Sequence, residues 1–134
     1  LVHEGYARSP TFRDLIDRLE RGDWVVFAQP GRCPDRAAIG CLLHVVGTFQ
    51  GRRYVRVLVN PQGRHPDQVI VTLAHELQHA VEVVTSGAVA DAESLVQLQR
   101  RIASSRVRMP KAELYETAAA WAVERRVFKE LRHR

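Results

Sequence analysis

Val69-Ile70-Val71-Thr72-Leu73-Ala74-His75-Glu76-Leu77-Gln78-His79-Ala80-Val81-Glu82 is the stretch that decides how this chain folds. It holds His-Glu-x-x-His inside an apolar run. Residues four apart on a helix share a face, so His75 and His79 can aim two imidazoles at one small cation. Glu76, next to the first imidazole, can reach a water on that cation. The polar positions Thr72, His75, His79, Glu82 and Ser86 step by three or four residues and form a single stripe. Nearly every other position from Val69 to Val84 is apolar, which predicts a helix buried most of the way round with its stripe lining a cleft. Polar groups in such a cleft need partners, because burying them unsatisfied is costly. A metal would satisfy them. The competing explanation is two hydrogen-bonded histidines at a chance spacing, and a chance match in a chain this short is on the order of one in a few hundred.

Outward from this helix the chain reads as one domain spanning 1–134, long enough for a core. Ser9-Pro10 predicts a helix start, and Phe12, Leu15, Ile16 and Leu19 keep helical spacing to about residue 21. Trp24 to Ala28 predicts a strand. A second strand is expected over Ala38 to Thr48, a hairpin turn at Gln50-Gly51-Arg52, and a third strand over Tyr54 to Val59. Asn60-Pro61-Gln62-Gly63 ends that strand, and the motif helix follows, stopping at Gly87. Asp91 caps a further helix to about Ala103. Ser104 to Met109 is expected as a linker, and Pro110 as the start of a last helix reaching about Leu131. Grouped strands followed by grouped helices predict an α+β arrangement: a three-stranded, mostly antiparallel sheet, the motif helix, then C-terminal helices.

Net charge is +5 and the pI is about 9.9, with arginine supplying most of the cations. The charges are scattered, with no polybasic tract and no basic stripe interleaved with aromatics, which argues against a nucleic-acid partner. No apolar run is long enough to span a membrane. The chain starts at Leu1, as a trimmed product would, so the lack of a visible signal peptide excludes nothing. Cys33 and Cys41 flank a loop rich in turn residues. A short disulfide there fits a secreted or periplasmic protein, and two free thiols fit a cytoplasmic one. Their spacing is not that of a zinc pair.

A catalytic zinc takes three protein ligands and keeps one position for water. The candidates for the third are Glu82, Asp91, Glu93, Glu113, Glu116, Glu124 and Glu130. Glu82 lies about 10 Å along the helix axis from His75, which suits an orienting role better than direct ligation. Asp91 reads as a cap and Glu93 as a first-turn acid. Glu116 heads a stripe with Ala119, Ala120, Val123 and Val127, and an acid on an otherwise apolar inward face needs a partner. Glu116 is therefore the expected third ligand, with Glu113 as runner-up.

With these residues in view the chain resembles a small zincin metallopeptidase of the gluzincin type, and small HExxH proteins of bacterial envelopes. The resemblance rests on His75-Glu76-Leu77-Gln78-His79 and on Tyr115-Glu116-Thr117-Ala118-Ala119-Ala120. It implies His75, His79 and Glu116 as Zn2+ ligands, Glu76 as general base, and a peptide or protein substrate. It also implies that an edge strand of the sheet receives the peptide by strand addition; the Arg53–Val59 segment is a candidate for that sheet, and the sequence does not say whether it is an edge. In thermolysin-like members an aspartate four residues after the glutamate supports a ligand histidine. Here that position is Ala120, so Glu82 or Glu113 is left as the substitute. Tyr115, Tyr54, His65 and His44 are candidate donors to a developing oxyanion. A zincin-like metal-binding or interaction module without turnover is the alternative. The oligomeric state is open.

Overall fold

The computed structural model describes residues 1–108 and 113–133, with the side chains of 105–114 outside the description. Pro10–Glu20 forms helix α2, with the Ser9 hydroxyl accepting the Phe12 N–H and Pro10 in the first turn. A short helix α1, Val2–Arg8, precedes it, which the sequence reading does not anticipate. Its seven residues include a glycine and carry no apolar stripe. Tertiary packing holds it: a Cβ on Gly5 would lie 3.1 Å from both the Phe12 ring and Ile70.

The main sheet has four strands: β1 (Val25–Pro30), β2 (Gly40–Leu42), β3 (Gly47–Phe49) and β4 (Arg52–Val59). β4 is central. β1 pairs with it in parallel on one side, and β2 and β3 pair antiparallel on the other. This corrects the expected three-stranded, mostly antiparallel sheet in two respects. The second strand is broken, because residues 43–46 oppose only Val55 and Arg56 between the β2 and β3 ladders. That is a bulge of two extra residues, bridged by Leu43 N–H to Arg56 O at 2.9 Å. And β1 runs parallel to its neighbour because the chain crosses to the other edge before returning as β4. The Arg53–Val59 segment lies in this sheet as β4, and with both its edges paired it is not available for strand addition.

Val55, Val57 and Val59 alternate along β4 on the face that is buried, as period-two patterning requires. Helix α3, Pro66–Ser86, lies on that face. It begins at His65 and Pro66 and ends at Gly87, whose φ of 70° is the left-handed cap conformation. Thirteen of its residues are buried, because α2 and the last helix, α5 (Ala118–Arg132), cover the sides the sheet leaves open. Helix α4, Ala92–Ile102, carries a reciprocal capping box between Asp91 and Ser94.

The C-terminal part differs most from expectation. Ser105–Arg108 is a strand, β5, rather than a linker, and it pairs with β6, Glu113–Glu116. Helix α5 starts only at Ala118 and runs to Arg132. Thr117 caps it, its hydroxyl accepting the Ala120 N–H at 3.1 Å. Helix propensity at 113–117 loses to a threonine cap and to a backbone ladder that satisfies the same groups. Pro110, the expected helix start, lies outside the described residues. Ala120, Val123, Val127 and Leu131 are the buried positions of α5 and join the core cluster or its border against α3.

Cys33 and Cys41 form a disulfide, and no cysteine is left free. It ties the 31–39 loop to the middle residue of β2. Among the described residues no helix is long and apolar enough to cross a membrane.

Candidate metal centre

α3 brings His75 and His79 to the side facing α5, with ring centroids 5.0 Å apart. Both are buried, at 4% exposure. Glu116 reaches them from the last residue of β6, not from a helix as expected. Its Oε2 lies 2.6 Å from His75 Nε2 and 3.4 Å from His79 Nε2. One atom from each of the three residues lies within 4.8 Å of the others. A tetrahedral zinc with bonds near 2.1 Å holds its ligands about 3.4 Å apart. The set is therefore close to what a zinc ion needs.

The outward nitrogens are also held. His75 Nδ1 lies 2.8 Å from Glu124 Oε2 on α5, and His79 Nδ1 lies 3.1 Å from Glu82 Oε2 on α3 itself. The Thr117 hydroxyl donates to the other Glu82 oxygen at 2.5 Å. Carboxylates on both Nδ1 atoms hold a proton there, so a metal that displaced the proton on Nε2 would find each Nε2 lone pair facing Glu116. His79 Nε2 is buried without a hydrogen-bond partner. Buried and 3.4 Å from the Glu116 carboxylate, yet outside hydrogen-bond geometry, this nitrogen has the surroundings of a metal ligand without its ion. The donor set of two imidazoles and one carboxylate suits catalytic zinc.

Glu82 thus sits where the sequence placed it, on a histidine rather than as a ligand. Glu124 was among the candidate ligands, and the structure puts it behind His75 instead. Its sequence signal was available: Trp121, Glu124 and Phe128 form a second stripe on α5, with Trp121 packed edge-on to His75 at 4.9 Å between centroids. The side chain of Glu113 lies outside the described residues.

Glu76 is buried, at 7% exposure. Burial pushes its carboxyl up to about 7, against the opposing pull of His79 and His75. The ion pairing with both imidazoles overcomes burial at Glu116 and holds it down at about 2. His79 is raised to about 10: burial opposes its charge, but Glu116 and Glu82 outweigh that. β2 presses on Glu76 from the sheet side. A Cβ at Gly40 would lie 2.7 Å from Thr72 Cγ2, 3.0 Å from Glu76 Cγ and 3.2 Å from Glu76 Oε1. Only glycine lets the edge strand come this close.

Beside this centre a cleft of about 510 Å³ opens between Ile39, α3 and α5, with Thr72 and Glu124 in its wall.

No family model, curated protein or solved structure matches the chain.

Of the four candidate oxyanion donors, Tyr54 is on the sheet face away from α3, packed on Phe27. The Tyr115 hydroxyl accepts from Arg100 Nε at 3.1 Å. His44 lies in the bulge beside the Tyr115 ring. His65 caps α3, its Nδ1 accepting the Asp67 N–H. Each is engaged in a structural contact, and His65 alone of the four also lines the cleft.

Proposed function

We propose that this protein is a zinc-dependent peptidase of zincin type, with His75, His79 and Glu116 as metal ligands and Glu76 as general base. The observation that carries the reading is the convergence of two oriented imidazoles and a carboxylate around the unsatisfied His79 Nε2. When bound, zinc lowers the pKa of its water toward about 7 and polarises a carbonyl. Glu76 suits the base role because its buried carboxylate follows His75 directly on the helix that carries both imidazoles. It takes the water proton and delivers it to the leaving amine. Trp121 packs edge-on to the His75 ring at 4.9 Å between centroids.

With β4 paired on both sides, β2 is the strand that fits peptide addition, since it is an edge and its Gly40 lies against Glu76. The disulfide supports an oxidising compartment, secreted or periplasmic.

Zinc analysis of purified protein tests the reading first: about one ion per chain is expected for a three-ligand site, and His79→Ala should lose it. Glu76→Gln should keep the zinc and abolish cleavage across a peptide library. A protein that holds no metal under any loading condition refutes the assignment. One that holds zinc and cleaves nothing is a binding module instead.

A further inference from the structure

The excess positive charge is not spread over the fold. Residues 24–66, which make the main sheet and its loops, hold six arginines and one acid, Asp35, a net of +5. The whole chain has 20 Lys and Arg against 15 Asp and Glu, so 14 stand against 14 everywhere else. The four strands carry Arg52, Arg53 and Arg56 and no acid. Asp35 is buried and accepts the Ala37 N–H. The arginines are held by neutral acceptors. Arg52 donates to the carbonyls of Gly22, Asp23 and Trp24, Arg56 to the Gln29 side-chain oxygen, and Arg32 to that of Gln62. Such bonds fix a guanidinium without cancelling its charge. Among the described residues none of the six arginines stands in an ion pair.

α3 packs on the face of Val55, Val57 and Val59, so strand alternation puts Arg52, Tyr54 and Arg56 on the opposite, outer face. Phe27 lies beside them, its ring centroid 5.3 Å from Tyr54 and 5.5 Å from Phe49. Phe49, at the hairpin between β3 and β4, is 46% exposed. Gly31 lies against Leu58 at the far end of the same face and brings Arg32 there. From Arg52 to Arg32 the basic row runs on the order of 25 Å, at about 3.3 Å per strand residue.

We propose that the outer face of the sheet docks the protein on an anionic bilayer surface, with the arginines on lipid phosphates and Phe49 at headgroup level. A basic row along the whole of β4 suits a plane of many headgroups better than a single acidic ligand. Aromatic rings settle at the membrane–water boundary, and arginines are drawn to an anionic leaflet. The three rings meet edge to face, at 82° and 76°, so they do not offer the parallel ring faces on which nucleic-acid bases stack. This face is the side of the sheet away from α3, so docking there leaves the cleft between α3 and α5 uncovered. The proposal stands apart from the metal-centre reading, and metal-free protein should dock equally well.

Sedimentation of the full chain with phosphatidylcholine–phosphatidylglycerol vesicles, and with phosphatidylcholine alone, tests it. Binding is expected to the anionic vesicles only, and to fall as salt is raised. One arginine near an anionic leaflet strengthens binding about fivefold. Arg56→Gln should therefore bind about fivefold more weakly, and the triple variant Arg32→Gln, Arg36→Gln, Arg56→Gln about a hundredfold. Arg125→Gln removes the same charge from exposed α5 surface and should match wild type. Phe49→Ser should weaken binding with the salt dependence unchanged. Thermal melting shows whether each variant is folded. Wild-type protein that ignores anionic vesicles overturns the proposal, as does a folded triple variant that binds like wild type, or an Arg125→Gln loss equal to that of Arg56→Gln. Protein that leaves the vesicles unbound yet retains oligodeoxythymidine or polyglutamate assigns the face to that polymer and overturns the bilayer as its partner.

Discussion

Gly40→Ala is the most informative single change outside the proposed ligands. The new methyl carbon would lie 2.7 Å from Thr72 Cγ2 and 3.0 Å from Glu76 Cγ. Carbon atoms at optimal contact are about 3.5–4.0 Å apart, so a shift of roughly an ångström is needed. β2 is three residues long and tethered by Cys41 to Cys33, and α3 is held between the sheet and α5. Neither element yields freely. Overpacking of this kind costs about 1–3 kcal/mol, or roughly 4–12 °C in Tm for a chain of this size. Thr72→Ser removes the Cγ2 that makes the worst contact, so the double variant should be more stable than the two single losses predict, by about 0.5 kcal/mol or more. The contacts with Glu76 remain in the double variant. If the proposed function holds, peptide cleavage should therefore stay depressed, about tenfold to a hundredfold for a displacement approaching an ångström, while zinc affinity is unchanged. Calorimetric melting, chelator competition and turnover on a library peptide measure the three quantities. A Gly40→Ala protein with wild-type stability and turnover, or strict additivity with Thr72→Ser, refutes the close-packing account.

Three further outcomes follow from the geometry. In the metal-free protein Glu76 is raised to about 7 and His79 to about 10, so both hold protons in the folded state that the unfolded chain has released; stability should fall as pH rises from about 5 through 7 on account of Glu76 and on toward 10 on account of His79. Glu116 is depressed to about 2, so its contribution is present above its ordinary pKa and lost on acidification toward 2, and Glu76→Gln should flatten the segment between pH 5 and 7 in urea titrations. Replacing Cys33 and Cys41 by serine removes a short ring and should cost about 2–3 kcal/mol in urea unfolding. Thr117→Val removes both the α5 cap and the support of Glu82; a loss of about 1–2 kcal/mol is expected by thermal melting, and Thr117→Ser should retain most of the stability.

The parts of the fold that could be read in the sequence are those where side-chain period and caps agree. α3 carries both a proline start and a glycine stop around an apolar surface. α2 and α4 carry Ser9 and Asp91 as caps. The misses share a cause: local pattern was overridden by pairing partners far away. Residues 113–116 read as helix until β5 is known to lie beside them, and 38–48 read as one strand until the bulge at 43–46 is seen against Val55 and Arg56. The parallel alignment of β1 has no local signature at all. At the site, His75, Glu76 and His79 follow from spacing, since one helix sets their geometry. Glu116 was reached through a helical stripe although it ends a strand; the residues after it, Ala120, Val123 and Val127, do form the inward face, and β6 leads directly into it. Glu124 lay in plain view, but its role depends on the rotation of α5 against α3, which no spacing within α5 specifies.

Glu116 ends β6, and its partner His75 lies 41 residues earlier. Everything between them, including α4 and β5, belongs to a loop whose two ends meet at this one point. In the proposed zinc form the ion is a removable cross-link across that loop. Closing a ring of this length by a covalent bond takes about 4 kcal/mol of entropy from the unfolded chain, and a metal bond acts on the same freedom. Stripping the ion therefore returns the freedom of a whole segment to the unfolded chain, and chelator-treated protein should unfold at a lower urea concentration than the zinc-loaded form.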